Sequence, residues 1–255
     1  MKSLNEKVVI VTGGAGGIGS AICRRFAADG AKVAVFDINP NAALGVVEQI
    51  KAEGGTAAAF EVDLSSQASV ISAVADVCEQ LGAIDVLVNN AGWDKAGPFL
   101  KTDDELWRRI VDINMFGALY MHHAVLPLMA ERGSGRVINV ASDAARVGSS
   151  GEAVYSFCKG GLVAFSKTMA REMARKQINI NVVCPGPTDT ALFRDFAGEG
   201  EQGEKLKQAL TKAIPFGRLG QPEDLSGMVA FLASDEASFI TGQVISVSGG
   251  LTMAG

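Results

Sequence analysis

The chain has 255 residues, 48% of them hydrophobic, with 23 basic and 28 acidic side chains and a net charge of −5. That is enough apolar content for a sizeable core, and no basic tract of the kind that tracks nucleic acid interrupts the mixed charges. The longest purely apolar runs, such as Val8–Val11, are too short to span a bilayer, and Asn5, Glu6 and Lys7 just before that run are wrong for a signal peptide.

Apolar, β-rich runs predict strands at Lys7–Thr12, Lys32–Asp37, Thr56–Val62, Ile84–Asn89, Gly135–Ala141, Ile178–Cys184 and Gln243–Val247. Helical periodicity between them predicts helices at Gly17–Asp29, Asn41–Glu53, Gln67–Gln80, Thr102–Glu131, Tyr155–Arg175 and Pro222–Ala233. Such alternation implies right-handed βαβ units and a parallel sheet with helices on both faces. Runs such as Val-Val-Ile-Val suit strands buried on both sides. No linker, repeat or low-complexity stretch divides the chain, so residues 1–255 are expected to form a single domain. Thr188–Gly217 is the irregular region. It carries Gly198, Glu199, Gly200 and Gly203 among charged residues and is either a lid or an ordinary surface loop. The cysteines (Cys23, Cys78, Cys158, Cys184) form no C-x-x-C pair, so we expect reduced thiols in a cytoplasmic protein and no metal site.

Chemistry concentrates at the ends of the strands. The first strand runs into Thr12-Gly13-Gly14-Ala15-Gly16-Gly17-Ile18-Gly19 and then a helix. Glycines there let the backbone turn tightly and approach a pyrophosphate at the helix N-terminus. The second strand ends in Asp37, a carboxylate able to accept both hydroxyls of an adenine ribose and to repel a 2′-phosphate, which points to NAD. Tyr155 and Lys159 are four residues apart, one turn along one helix face. A phenol titrates near ~10 in water, and a neighbouring ammonium lowers that value. Ser142, at the end of the fifth strand, falls at the carboxyl edge of the sheet, where it can hydrogen-bond a substrate oxygen. His122 and His123 are adjacent in a helix and point apart, which argues against a shared metal. Trp107 and Met115 read as core or subunit-contact residues.

These residues resemble the short-chain dehydrogenase/reductase family over essentially the whole chain. Thr12-Gly13-x-x-x-Gly17-Ile18-Gly19 matches its cofactor turn, Asp63-Leu64 its adenine-contacting pair, and Asn89-Asn90-Ala91-Gly92 its sheet-supporting segment. Asn114, Ser142, Tyr155 and Lys159 match its catalytic tetrad, and Pro185-Gly186-Pro187-Thr188-Asp189-Thr190 matches the segment holding the nicotinamide carboxamide. The resemblance implies a Rossmann fold, α/β and doubly wound, with a seven-stranded parallel sheet in the order 3-2-1-4-5-6-7. It further implies NAD as cofactor and Tyr155 as the acid/base, with Ser142 holding the substrate oxygen. Lys159 would lower the phenol pKa and grip the nicotinamide ribose, and Asn114 would kink its helix and hold a relay water. A homotetramer is expected, packed through helices bearing Phe157, Leu162, Phe165 and Met169.

For the substrate, residues 141–155, 187–192 and 246–253 resemble a subgroup that oxidises 2-hydroxycyclohexanecarboxyl-CoA to the 2-oxo compound. Trp93, Val147 and Val154 would then line an apolar slot, and Arg146 or Arg194 would meet the CoA phosphates. Arg146 paired with Asp143 is the competing reading. Trp93 and Asp94 either contact substrate or belong to the supporting loop. The alternative reaction is that of an NAD(P)H-dependent 3-oxoacyl thioester reductase. A catalytically silent nucleotide-binding regulator is the alternative of another class, disfavoured by the intact Ser142, Tyr155 and Lys159.

Overall fold

The strands β1 (Val8–Thr12), β2 (Lys32–Asp37), β3 (Thr56–Glu61), β4 (Ile84–Asn89), β5 (Gly135–Val140), β6 (Ile178–Pro185) and β7 (Val244–Val247) form one sheet. It has seven strands in the order β3-β2-β1-β4-β5-β6-β7. Every strand pair is parallel. The computed structural model that gives this architecture describes residues 4–198 and 200–254.

The helices are α1 (Gly17–Ala28), α2 (Pro40–Ala52), α3 (Gln67–Gln80), α4 (Asp104–Val111), α5 (Gly117–Arg132), α6 (Ala144–Val147), α7 (Ala153–Met173), α8 (Ala191–Ala197), α9 (Gly200–Ala213) and α10 (Pro222–Ala233). Alternation along β1 shows why both faces must be covered. Val9 and Val11 join a core with Ile22 of α1, Val47 of α2 and Leu225 of α10. Val8 and Ile10 point the other way, joining Val74 of α3, Val125 of α5 and Ala170 of α7. This is the doubly wound Rossmann arrangement.

The helix expected over Thr102–Glu131 is interrupted. Between α4 and α5 the residues Asp112–Phe116 form a π turn, with Asn114 buried inside it. The Asn114 amide donates to the Ile110 carbonyl four residues back at 2.9 Å, occupying an acceptor that a regular turn would give to backbone. A hydrophobic period alone does not reveal such a break.

Thr188–Gly217 is likewise not an irregular loop, because it holds α8 and α9. Its two ends are tied together: Asp189 N–H donates to the Gly220 carbonyl and Gly220 N–H to the Pro187 carbonyl, both at 2.9 Å. Charged, glycine-bearing sequence masked the helical period here; Glu199 lies outside the described residues. Of the side chains expected at a subunit contact, Phe157 is 66% exposed, whereas Leu162 is buried within its own chain. Phe165 packs edge-on against His122, and Met169 packs on the core.

Candidate active site

The turn after β1 is shaped by contacts only glycine tolerates. Gly13 has φ +60°, and a Cβ there would meet the Ala91 Cα at 2.9 Å, while a Cβ on Gly19 would lie 2.0 Å from the Gly13 carbonyl oxygen. No side chain caps the start of α1 at Gly16, so its free N–H groups and the positive end of the helix are available to an anion. The end of β4 is locked to this turn. Asn90 and Ala91 N–H donate to Thr12 Oγ1 at 3.0 and 3.1 Å, and the Asn90 amide donates to the Thr12 and Gly13 carbonyls.

Asp37 ends β2 with both carboxylate oxygens held, Oδ2 accepting from Ala15 N–H and Oδ1 from Asn39 N–H, each at 3.0 Å. Its neighbour Ile38 is exposed and apolar. Asp63 is similarly fixed, its Oδ1 accepting from the Ser65 hydroxyl at 2.7 Å.

These groups open on one cleft of about 1730 Å³. A single small ligand fills roughly 300–1,000 Å³, so the space suits a dinucleotide with a substrate beside it. Gly13, Gly17, Ile18, Gly19, Asp37, Asp63, Leu64, Asn90, Ala91 and Gly92 line it from the ends of β1 to β4. Ser142, Tyr155, Lys159, Pro185, Gly186, Thr188 and Thr190 line the rest, with Trp93 and Val147. An uncapped helix start, a side-chain-free turn and a fixed carboxylate together fit a nicotinamide dinucleotide.

At the reacting end, Ser142 follows β5 and its Oγ accepts from Ala144 N–H at 3.1 Å. Tyr155 stands on the first turn of α7, partly open to the cleft. Lys159 is 2% exposed. Burial pulls its ammonium down to about 8, opposed by the neighbouring Cys158 and Cys184. Burial also pushes the Tyr155 phenol above its ordinary value, the charges of Glu152 and Asp94 push the same way, and the hydrogen bond with Ser142 opposes them. A phenol pKa lowered by Lys159 is thus not what this geometry gives. The ammonium donates to the Val140 carbonyl at 3.1 Å and holds its own proton loosely, so burial and the two acids dominate. Burial is also what raises Asp94, to about 6.

Asn114 lies behind the cleft. Its Nδ2 donates to the Trp93 carbonyl at 2.6 Å and its Oδ1 accepts from Trp93 N–H at 3.3 Å, so it clamps the loop after β4. With Thr12, Asn89 and Lys159 it borders a void of about 10 Å³, which is about one water in size. On the cleft side, the Arg109 guanidinium sits 4.0 Å over the Trp93 ring.

Two expected anion-binding side chains are engaged elsewhere. Arg146 donates from Nη1 to Ser246 Oγ at 2.9 Å and from Nη2 to the Ala254 carbonyl. It meets Asp143 through Ser246 Oγ, which donates to Asp143 Oδ1. Arg194 pairs with Asp189 at 2.8 Å. Neither arginine lines the cleft, nor does Val154.

Sequence reasoning missed several cleft residues: Glu152, Arg109, Phe193 and Phe196 of α8, and Leu251 to Ala254. Glu152 precedes Tyr155 by three residues and was within reach of a local reading; the others arrive from distant segments. His122 is buried and joins a polar layer under the sheet edge. Its Nδ1 meets the Ala118 carbonyl at 2.7 Å and its Nε2 meets the Asn139 amide at 3.3 Å. Asn89 in turn donates to Asn139 Oδ1 at 2.9 Å. Burial holds the imidazole down at about 4, so it is neutral near pH 7. Among the described residues no cluster of metal-binding type occurs, and no helix is long and apolar enough to cross a membrane.

A family model described as enoyl-(acyl carrier protein) reductase matches residues 13–252. The chain is 41% identical over 247 residues to an acetoacetyl-CoA reductase of Shinella zoogloeoides, covering 96% of this chain and 98% of that protein. It is 35% identical over 250 residues to a 3-oxoacyl-(acyl-carrier-protein) reductase of Chlamydia pneumoniae, covering 98% of each. A reductase of the same name from Salmonella typhimurium is 34% identical over 251 residues, covering 98% of this chain and 99% of that protein.

Proposed function

The chain belongs to the short-chain dehydrogenase/reductase family, and from that premise we propose that it interconverts an open-chain 3-oxoacyl thioester and its 3-hydroxyacyl counterpart with NAD(H). Membership makes it a nicotinamide-dependent oxidoreductase of hydroxyl and keto carbons. The observation that carries the reading is the placement of Ser142, Tyr155 and Lys159 along one cleft with the glycine turn and Asp37.

In this reading Gly13, Gly17, Ile18 and Gly19 hold the pyrophosphate at the start of α1, and Asp37 takes the adenine ribose hydroxyls. Asp63 and Leu64 border the adenine, with Asn90, Ala91 and Gly92 along the cofactor. Pro185, Gly186, Thr188 and Thr190 hold the carboxamide, while Tyr155 and Lys159 hold the nicotinamide ribose. The cofactor supplies or accepts the hydride. Ser142 donates to the substrate oxygen, and Tyr155 exchanges a proton with that oxygen. Asn114 fixes the Trp93 loop and borders the void behind Lys159.

The thioester assignment follows the relatives' names, an acetoacetyl-CoA reductase and 3-oxoacyl-carrier reductases. A ring alcohol beside a CoA thioester rested on short segments of resemblance, and the relatives favour the open-chain substrate. NAD over NADP rests on Asp37 and on the absence of a cation at Gly16 or Ile38. We further propose that residues 1–255 act as one domain in the cytoplasm, and that a homotetramer forms across faces that include Phe157; light scattering at micromolar concentration giving a monomer mass would remove the tetramer.

The test is an NADH-oxidation assay with acetoacetyl-CoA, longer 3-oxoacyl-CoA thioesters and 2-oxocyclohexanecarboxyl-CoA. Higher kcat/KM on an open-chain thioester is expected. Preference for the ring thioester, or activity only on sugars or steroids, overturns the assignment.

A further inference from the structure

After β7 the chain reverses through Gly249 and Gly250, whose φ values of +61° and +89° belong to the left-handed region. Leu251 N–H returns to the Ser248 carbonyl at 3.2 Å and Thr252 N–H to Ser248 Oγ at 3.3 Å. At Met253 and Ala254 the backbone is neither helix nor strand, yet residues 251–254 line the cleft. What reaches this stretch is Arg146, through its bond to the Ala254 carbonyl.

Arg146 lies four residues after Ser142, on α6. The intervening Asp143 is buried, its N–H donates to the Pro185 carbonyl at 2.9 Å, and its carboxylate accepts from the Ser246 hydroxyl that Arg146 also contacts. One planar guanidinium therefore joins the loop bearing Ser142, the edge strand β7 and the segment beyond it. Its rigid fork holds two acceptors in a fixed relation, and partial burial strengthens both bonds. Met253 is 83% exposed and adds little to the core. Thr252 is buried, so the segment is anchored at that point while Met253 stands free on the cleft side, which fits a wall.

We infer that Arg146 is a positioning residue that pins residues 251–254 as a wall of the acyl end of the cleft and thereby sets the acyl chain length accepted. The inference deepens the thioester reading and rests on it for its kinetic consequence, though not for the clamp itself.

Two measurements test it. In the purified protein, Arg146→Ala should speed amide hydrogen exchange across residues 251–254 and leave α1 and β1 unchanged; unchanged exchange across the segment overturns the clamp. In kinetics, Arg146→Ala should shift the ratio of kcat/KM for 3-oxodecanoyl-CoA over acetoacetyl-CoA by about tenfold, the effect of losing one charged hydrogen bond, with KM for NADH unchanged. Met253→Ala should shift the same ratio in the same direction, and it decides the matter if Arg146→Ala does not fold. A wild-type enzyme active on both thioesters with the ratio unchanged in the variants overturns the wall. If the wild type reduces no 3-oxoacyl-CoA, the proposed function falls and the chain-length role with it, while exchange still decides the clamp.

Discussion

Nζ of Lys159 lies 5.5 Å from the centre of the Tyr155 ring, one turn along α7, and donates to the Val140 carbonyl at 3.1 Å. The contact places a buried cation against a phenol that burial itself keeps protonated. Neither group is at its ordinary pKa: the ammonium is drawn down to about 8 and the phenol is pushed up. Four consequences of this arrangement and of the cofactor half can be measured.

Tyr155→Phe removes the hydroxyl and keeps the ring that packs in the cleft. Turnover should fall by roughly a hundredfold to ten-thousandfold, with NADH binding close to wild type. Steady-state kinetics and a fluorescence titration of NADH check both halves. Activity within a few-fold of wild type would assign the proton to another group.

Lys159→Met should abolish turnover yet stabilise the cofactor-free protein near neutral pH. The folded state holds the Lys159 proton more weakly than the unfolded chain does, about 8 against an ordinary 10.5, so the unfolded chain binds more protons between those values. Stability therefore rises with pH across that window, and the buried charge is a cost below it. The variant should gain about 1–3 kcal/mol near pH 7, and the gain should fade as pH approaches the ordinary lysine value. Urea melts at several pH values read this directly; a variant less stable than wild type at pH 7 contradicts it.

Asp94→Asn removes a negative charge that raises Tyr155. Asp94 is ionised above about pH 6, so its field acts through the working range. Without it the phenol loses its proton more readily, and the rising limb of the pH profile for alcohol oxidation should move to lower pH. A limb that stays put or moves upward rules out Asp94 as a source of that field.

Asp37→Ser should weaken NADH binding by about ten- to a hundredfold, the range for losing hydrogen bonds to a charged acceptor, and should narrow the preference over NADPH. Part of the loss comes from the turn itself, since Asp37 also holds Ala15 N–H and Asn39 N–H. Comparing KM for both cofactors separates the effects: a purely structural role weakens the two equally.

The sequence alone determined what is local and periodic. The strand runs fall within a residue or so of β1 to β7, because parallel strands buried on both faces must be continuously apolar. The glycine turn, Asp37, Ser142 and the Tyr155–Lys159 pair could be read in the same way, since each depends on spacing within one strand–turn–helix unit. The break at Asn114 could not, because it is made by a side chain reaching the Trp93 loop and the Ile110 carbonyl. Nor could the His122 layer, which depends on Asn89 facing Asn139 in the register of β4 and β5. Arg146 shows the limit most clearly. Its sequence suggested a phosphate or Asp143 as partner, but only the folded chain brings Ser246 and Ala254 to the guanidinium from about a hundred residues away. Pairings across such separations are fixed by how layers pack, and packing leaves no period in the sequence to read.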